Sequence, residues 1–185
     1  MPWISKPSAT TRIERRPEPY LTQAIKDRIT RDVLPKYERK QGALMATLHA
    51  VQAEHGWLPK QSLEEIAEFL GLTPADVFDC ASFYEEYWLK PKGKYLIAVC
   101  RSIACEVCGH RNVTDAFRRK LGIEVGETTD DGMFTLVELE CLGSCGTAPV
   151  ALVNHTLHEN LSPDSAAMLI DDLKAGRVQD EHSAH

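Results

Sequence analysis

The spacing of apolar residues divides the chain near Pro91 into a helical part and a β-rich part. From Tyr20 to Trp88, apolar side chains recur at helical intervals, and glycine and proline residues interrupt the pattern. This pattern predicts four short helices with tight connections, which is typical of a small helical bundle. After Pro91 the apolar runs become short and alternate with polar residues, which indicates strands.

Three local signals predict where helices of the first part begin and end. Ser62 followed by Glu65 has the pattern of a capping box, so we expect a helix to begin at Ser62. Gly71 predicts the end of that helix, because glycine readily adopts the left-handed conformation common after a helix. Thr73 and Pro74 then predict the N-cap and the first turn of the next helix.

The second part contains strands and helices in the order β-α-β-β-α. Apolar runs predict strands at 95–99 and 134–139 and a third strand from Val150, with a helix over 112–121 between the first two. Ser162 predicts the N-cap of a last helix. This order is that of a minimal thioredoxin-like domain.

The sequence therefore predicts an α+β protein in which an N-terminal small helical bundle precedes a thioredoxin-like domain. The first residues carry several prolines and mixed charges, so we interpret them as a flexible arm. The predicted segments are the N-terminal arm at 1–19, the helical bundle at 20–90, the thioredoxin-like domain at 91–176 and a solvated C-terminal tail at 177–185.

Composition and charge argue against several classes of function. The chain has 185 residues, a formal net charge of −6 and 43% hydrophobic residues, as expected for a globular protein. The negative charge argues against a nucleic-acid partner, because phosphate binding requires clustered Lys and Arg. No apolar run approaches the roughly twenty residues of a membrane span, and the N-terminal segment lacks the apolar core of a secretory signal. We therefore expect a protein of the cytoplasm or a matrix-like compartment, without direct membrane insertion.

Four cysteines in two short-spaced pairs are the strongest chemical signal in the chain. Cys100 and Cys105 follow one β-rich run, and Cys141 and Cys145 follow another. In a reducing compartment such cysteines are more often metal ligands than disulfides. Four thiolates suit either a tetrahedral zinc ion or a [2Fe–2S] cluster. The spacers of four and three residues favour the cluster, because zinc knuckles usually have two-residue spacers.

Residues beside these pairs have candidate roles. Gly143 and Gly146 would let backbone N–H groups approach sulfur, and such hydrogen bonds raise the reduction potential of a cluster. Arg101 either offsets negative charge or is a solvent-exposed loop charge. Cys108 forms a C-x2-C pattern with Cys105, and we interpret it as a spare thiol near the cluster. A zinc site or a redox disulfide, as in a thioredoxin-type disulfide reductase, remains the alternative for this pattern.

The other cysteine and the histidines are weaker candidates. Cys80 is expected to be a small buried apolar side chain of the helical part. His110 would suit a Rieske-like ligand set, but no histidine lies comparably near Cys141. The remaining histidines of the second half are interpreted as surface or tail residues: His155, His158, His182 and His185.

A DNA-binding module is a separate alternative, suggested by the segment EEIAEFLGLTPADVFDCASF. Its glycine between two predicted helices has the look of a helix-turn-helix. However, Asp76 and Asp79 in the second helix would repel phosphate, so we do not expect DNA binding. An acidic surface of this kind suits a basic patch on a protein partner.

Three segments carry a resemblance to a known family: GKYLIAVCRSIACEVCGH, LGIEVGETTDDGMFTLVELECLGSCGTAPV and DDLKAG. They resemble the NuoE-type small [2Fe–2S] subunit of respiratory NADH:quinone oxidoreductase (complex I), and the resemblance covers about residues 25–176. It implies a helical N-terminal domain followed by a thioredoxin-like ferredoxin domain. It also implies that the cluster ligands are Cys100, Cys105, Cys141 and Cys145.

The resemblance further implies a role inside a complex. Such subunits dock on a larger FMN- and NADH-binding flavoprotein (NuoF-like), and their cluster exchanges single electrons with the FMN. The chain would then be a subunit of NADH dehydrogenase that is not catalytic alone, in the cytoplasmic peripheral arm of a membrane-associated complex. Consistently, it has no G-x-G-x-x-G fingerprint for a dinucleotide. The equivalent small subunits of NAD-dependent formate dehydrogenases and NAD-reducing hydrogenases are the alternative.

Overall fold

The computed structural model describes residues 15–177, and the chain divides between Pro91 and Lys92 into two compact units. We call them the helical unit and the cysteine unit. The predicted arm and tail fall largely outside the described residues, which leave out 1–14 and 178–185 with His182 and His185. No helix in the described part of the chain is long and apolar enough to cross a membrane.

The helical unit contains four α-helices among its described residues, as the apolar spacing predicts. Short π-helical and 3-10 turns connect the first helix to the second. The α-helices are α1 at Gln23–Arg28, α2 at Leu44–His55, α3 at Lys60–Leu70 and α4 at Pro74–Phe83. Their apolar faces form one core, whose fully buried members include Leu48, Ile66 and Val77. Cys80 is partly buried and packs against this core, and burial raises the pKa of its thiol.

Two of the predicted helix boundaries are confirmed by the backbone. Gly71 follows α3 in the left-handed conformation, with a φ of 69°. Thr73 is the N-cap of α4: its hydroxyl accepts a hydrogen bond from the Asp76 N–H, and the Asp76 carboxylate accepts one from the Thr73 N–H. Pro74 occupies the first turn of α4, as expected for a residue whose missing N–H is not needed there.

The predicted start of α3 at Ser62 is wrong. The helix begins at Lys60, because Pro59 already provides the extended N-cap residue. Ser62 is buried within the first turn, where its hydroxyl donates to the Pro59 carbonyl at 2.7 Å. The Glu65 carboxylate does not accept a hydrogen bond from the Ser62 N–H, as a capping box would require, but accepts one from the Leu21 N–H at 2.8 Å.

The cysteine unit combines a four-stranded sheet with three helices among its described residues. Its elements are β1 at Tyr95–Cys100, α5 at Ile103–Val107, α6 at His110–Leu121, β2 at Phe134–Leu139, a 3-10 turn at Cys145–Thr147, β3 at Ala151–Val153, β4 at Thr156–His158 and α7 at Pro163–Lys174. The α+β class is thus confirmed. The predicted helix over 112–121 begins two residues earlier, at His110, and α5 was not predicted from the sequence.

The sheet has the order β2-β1-β3-β4, with β1 in its interior. β2 runs parallel to β1, whereas β3 pairs antiparallel with both β1 and β4. Because β1 and β2 are parallel, α6 can connect them as a crossover helix. Phe117 of α6 and Ile170 of α7 are fully buried in the core that these helices share with the sheet, and the predicted inward face of α7 is confirmed. Its buried residues are Ala166, Leu169, Ile170 and Leu173.

Candidate metal centre

The parallel register of β1 and β2 brings the two cysteine pairs to the end of the sheet at which both strands finish. Cys100 is the last residue of β1 and lies opposite Leu139, the last residue of β2. The chain leaves both strands in the same direction, so Cys141 follows β2 at the end of the sheet where Cys100 ends β1. The Arg101 N–H donates to the Leu139 carbonyl at 2.9 Å and continues this pairing one residue beyond the strands.

The first pair is buried. Cys100 and Cys105 are each only 2% exposed and pack with Val150 in a small apolar cluster. Cys105 is carried by α5, the short helix that turns back after β1. The pKa of the Cys105 thiol is raised to about 11, chiefly by burial and also by the neighbouring Cys100, whereas a hydrogen bond from the Val150 backbone opposes the rise. Both thiols therefore lie out of contact with bulk water.

The second pair is exposed. Cys141 and Cys145 have their sulfur atoms 3.6 Å apart, and a hydrogen bond and charge from Cys141 raise the pKa of the Cys145 thiol. Gly143 lies between them with a φ of 85°, and its N–H donates to the Cys141 sulfur at 3.4 Å. The role predicted for Gly143 is thereby present in the structure. The same role for Gly146 stays a prediction.

The two pairs lie within electrostatic reach of each other. The charge of Cys145 raises the pKa of Cys105, and the charge of Cys100 raises that of Cys145. Leu142 of the second loop packs against the buried Cys100–Cys105 cluster. Within residues 15–177, no three His, Cys, Asp or Glu side chains converge on a position for one ion. The thiols instead come together two by two, and soft sulfur donors in two pairs fit a [2Fe–2S] cluster, which needs four cysteine ligands.

An ion pair connects the residues that adjoin one cysteine of each pair. Arg101 follows Cys100 and Glu140 precedes Cys141. The Arg101 guanidinium donates to one Glu140 oxygen at 2.9 and 2.6 Å, and the Ser102 hydroxyl donates to the other at 3.3 Å. Of the two roles considered for Arg101, the exposed loop position is observed, but its charge is paired with Glu140. Sequence reasoning missed Glu140, although its place beside Cys141 was a usable signal.

A second carboxylate holds the turn that begins at Cys145. Glu159, just after β4, accepts hydrogen bonds from the hydroxyls of Ser144 and Thr147, and these bonds lower its pKa. The Asn160 N–H donates to the Thr147 carbonyl at 2.7 Å. The peptide bond between Ala148 and Pro149, which leads into β3, is cis. No sequence signal pointed to Glu159, because its contacts depend on the return of the chain through the β3–β4 hairpin.

The other candidate ligands lie in different surroundings. Cys108 is the exposed C-cap of α5, and all six cysteines are free thiols. His110 is 4% exposed, and its ring nitrogens lie 2.9 Å from a Glu106 oxygen and 3.6 Å from a Glu138 oxygen. Both nitrogens lie near carboxylates, but the buried Nδ1 makes no hydrogen bond among the described residues. His155 is exposed between β3 and β4, as predicted, whereas His158 of β4 is half-buried rather than a surface residue, and burial lowers its pKa.

Comparisons with known proteins show which family and relatives this chain is similar to. Residues 30–174 match the family model for thioredoxin-like [2Fe–2S] ferredoxins. The chain is 40% identical to NADH-quinone oxidoreductase subunit 2 of Thermus thermophilus over 145 residues, 78% of this chain and 80% of that protein. It is 37% identical to a subunit of the NADH-quinone oxidoreductase of Pseudomonas aeruginosa over 135 residues, 73% of this chain and 81% of that protein.

Solved structures show the same fold. A crystal structure of NAD+-reducing [NiFe]-hydrogenase in the H2-reduced state aligns with a TM-score of 0.67 at 23% identity, over 80% of this chain and 25% of the hydrogenase chain. The air-oxidised form aligns with a TM-score of 0.65 at 24% identity, over 76% of this chain and 24% of that chain. These likenesses concern the fold alone. The chain has four thiols in two pairs at one end of its sheet, and its match to the family model shows that it belongs to the thioredoxin-like [2Fe–2S] ferredoxin family.

Proposed function

We propose that this chain is the small [2Fe–2S] subunit of an NADH:quinone oxidoreductase, and that it exchanges single electrons with the FMN of a partner flavoprotein. In this proposal Cys100, Cys105, Cys141 and Cys145 hold the cluster. The observation that carries it is that one buried and one exposed thiol pair lie at and after the carboxyl ends of two neighbouring parallel strands. The names of the 37–40% identical relatives support the parent complex.

The bound cluster would supply one-electron chemistry, and the residues of the chain would tune and protect it. Burial of Cys100 and Cys105 excludes water from one side of the site. The Gly143 N–H, aimed at the Cys141 sulfur, would stabilise the negative charge gained on reduction. Exposure of Cys141 and Cys145 would leave the other side open to an electron-exchange partner.

The same chemistry would serve an NAD-dependent formate dehydrogenase or an NAD-reducing hydrogenase. The fold likeness to the hydrogenase is compatible with this alternative, although it lies below 25% identity. We favour the respiratory complex because the relatives at 37–40% identity carry its name. In that setting the chain would belong to the peripheral arm on the cytoplasmic side, next to an FMN- and NADH-binding subunit.

Anaerobic purification of the full chain tests the cofactor part of the proposal. Iron and acid-labile sulfide are assayed, and low-temperature EPR spectra are recorded before and after dithionite. We expect equal amounts of iron and sulfide, a silent oxidised state and one S = 1/2 signal on reduction. Zinc in place of iron, with no signal after reconstitution, would contradict the electron-transfer function.

Cysteine variants test the ligand assignment. Serine substitutions of Cys100, Cys105, Cys141 and Cys145, one at a time, are expected to abolish or alter the EPR signal. Cys108→Ser is the matched control, because it removes a thiol from the same short helix but from an exposed cap position. An unchanged spectrum for Cys108→Ser would reject the redox-disulfide alternative, and a lost cluster would make Cys108 a ligand.

A further inference from the structure

The short helix α5 carries two of the most exposed apolar side chains in the described part of the chain. Ile103 is 83% exposed and Val107 is 82% exposed, more than any other large apolar side chain described. The two residues are four positions apart, so they lie side by side on one face of the helix. Exposing this much apolar surface is unfavourable, and paired exposed apolar residues mark interaction sites more often than isolated ones do.

This face lies directly behind a proposed cluster ligand. Cys105 is two positions from both Ile103 and Val107, which places it on the opposite side of α5, where it is 2% exposed. A partner resting on the outer face would therefore be separated from the Cys105 thiol by one helix, about 10–12 Å across with its side chains. α5 also packs against the turn that contains Cys145, so the helix itself adjoins the exposed side of the site.

The charged groups around this face are already paired within the chain. Glu106, the charged residue of α5, lies 2.9 Å from His110 and 3.0 Å from Arg111. Arg101, before α5, is bonded to Glu140. A partner that covers Ile103 and Val107 would thus bury apolar area without stripping water from an unpaired charge, and this favours an apolar contact over a charged one.

We propose that the outer face of α5, formed by Ile103 and Val107, is the docking surface for the flavoprotein that exchanges electrons with the cluster. This inference rests on the proposed function, because that function requires a partner to approach the cluster closely. The partner surface that fits is an apolar one beside its flavin. Each buried side chain of this size contributes to binding through removal of its apolar area from water.

The test uses the full-length, cluster-loaded chain and the FMN-binding flavoprotein subunit of the same organism. Ile103→Gln and Val107→Gln are combined, since glutamine is polar and a good helix former. The matched control is Met168→Gln, which removes an apolar side chain that is 64% exposed on α7 of the same unit. Cluster reduction by NADH through the flavoprotein is followed under anaerobic conditions as chain concentration is varied, and direct reduction by dithionite is measured in parallel.

We expect the double variant to keep its iron, its EPR signal and its reduction by dithionite. It is expected to need about tenfold or more of the chain for half-maximal reduction by the flavoprotein. The Met168→Gln control is expected to match the wild type. A double variant that also matches the wild type would overturn the docking surface and leave the proposed function standing.

Two other outcomes would also overturn the inference. Loss of iron from the double variant would assign Ile103 and Val107 to retention of the cluster rather than to docking. Failure of the flavoprotein to reduce even the wild-type chain, with dithionite still effective, would overturn the proposed function and the docking surface with it. The wild-type measurement therefore separates the two failures.

Discussion

Gly143 offers the sharpest test of how the exposed loop would hold the proposed cluster. Its φ of 85° lies in the left-handed region, where an alanine costs about 1–2 kcal/mol relative to its preferred conformation. No atom lies within 4 Å of a Cβ added at Gly143, so this cost arises from the backbone conformation and not from a clash. Gly143→Ala is therefore expected to destabilise the loop conformation by about that amount.

A matched control is available three residues further on. Gly146 also has open space around an added Cβ, but its φ lies outside the left-handed region. Gly146→Ala thus adds the same methyl group to the same exposed loop without the conformational cost. The difference between the two variants isolates the backbone conformation that directs the Gly143 N–H toward the Cys141 sulfur.

Two measurements follow from this difference. A loop destabilised by about 1–2 kcal/mol is expected to release the cluster to a chelator roughly 5–30 times faster, monitored by loss of cluster absorbance. Weakening the N–H···S hydrogen bond is also expected to lower the reduction potential by tens of mV, measured by an EPR-monitored redox titration. Equal chelation rates and potentials for Gly143→Ala and Gly146→Ala would refute this account.

Three further outcomes are expected. Because the Arg101–Glu140 pair is more than half exposed, a double-mutant cycle with glutamine at both positions should give a coupling below about 1 kcal/mol in urea unfolding of the cluster-free chain. Either single variant should nevertheless release the cluster faster than the wild type. Equal release rates would argue against a link between the thiol pairs. Hydrogen bonds from Thr73 hold the pKa of Asp76 below its ordinary value. The carboxylate therefore stabilises the folded chain above the unfolded pKa of about 3.9, and this stabilisation is lost as pH falls through the folded value. The difference in unfolding free energy between wild type and Asp76→Asn should shrink on acidification, and a difference that is constant with pH would contradict this. Phe117→Ala, at a fully buried position, should destabilise the cysteine unit by about 3–5 kcal/mol in denaturant unfolding, and a loss below about 1 kcal/mol would contradict its place in the core.

The apolar pattern of the sequence predicted the helices and strands whose apolar residues face a core. It did not predict a helix whose large apolar residues face outward. The period of the apolar pattern indicated β2 and the inward face of α7, because burial on one side imposes that period. α5 was missed for two physical reasons. With five residues it is too short to show a helical period, and its large apolar side chains, Ile103 and Val107, face outward.

The four thiols of the candidate site could be predicted from the sequence, but the contacts that support their loops could not. The spacing of Cys100, Cys105, Cys141 and Cys145 was sufficient to indicate a four-thiol site. The role of Glu159 was not, because its contacts with Ser144 and Thr147 exist only once the β3–β4 hairpin has returned the chain to the cysteine turn. Such contacts depend on tertiary structure, and no local pattern encodes them.

The unequal exposure of the two thiol pairs follows from strand order. β1 lies inside the sheet, so its last residue, Cys100, is covered by the neighbouring chain, and its N–H donates to the Val150 carbonyl at 3.0 Å. β2 is an edge strand, and the loop that follows it, with Cys141 and Cys145, is left exposed. A chelator in solution therefore reaches the second pair first, while α5 shields the first. Loss of the cluster is expected to begin at this loop, which is why a backbone change confined to it can control the rate of release.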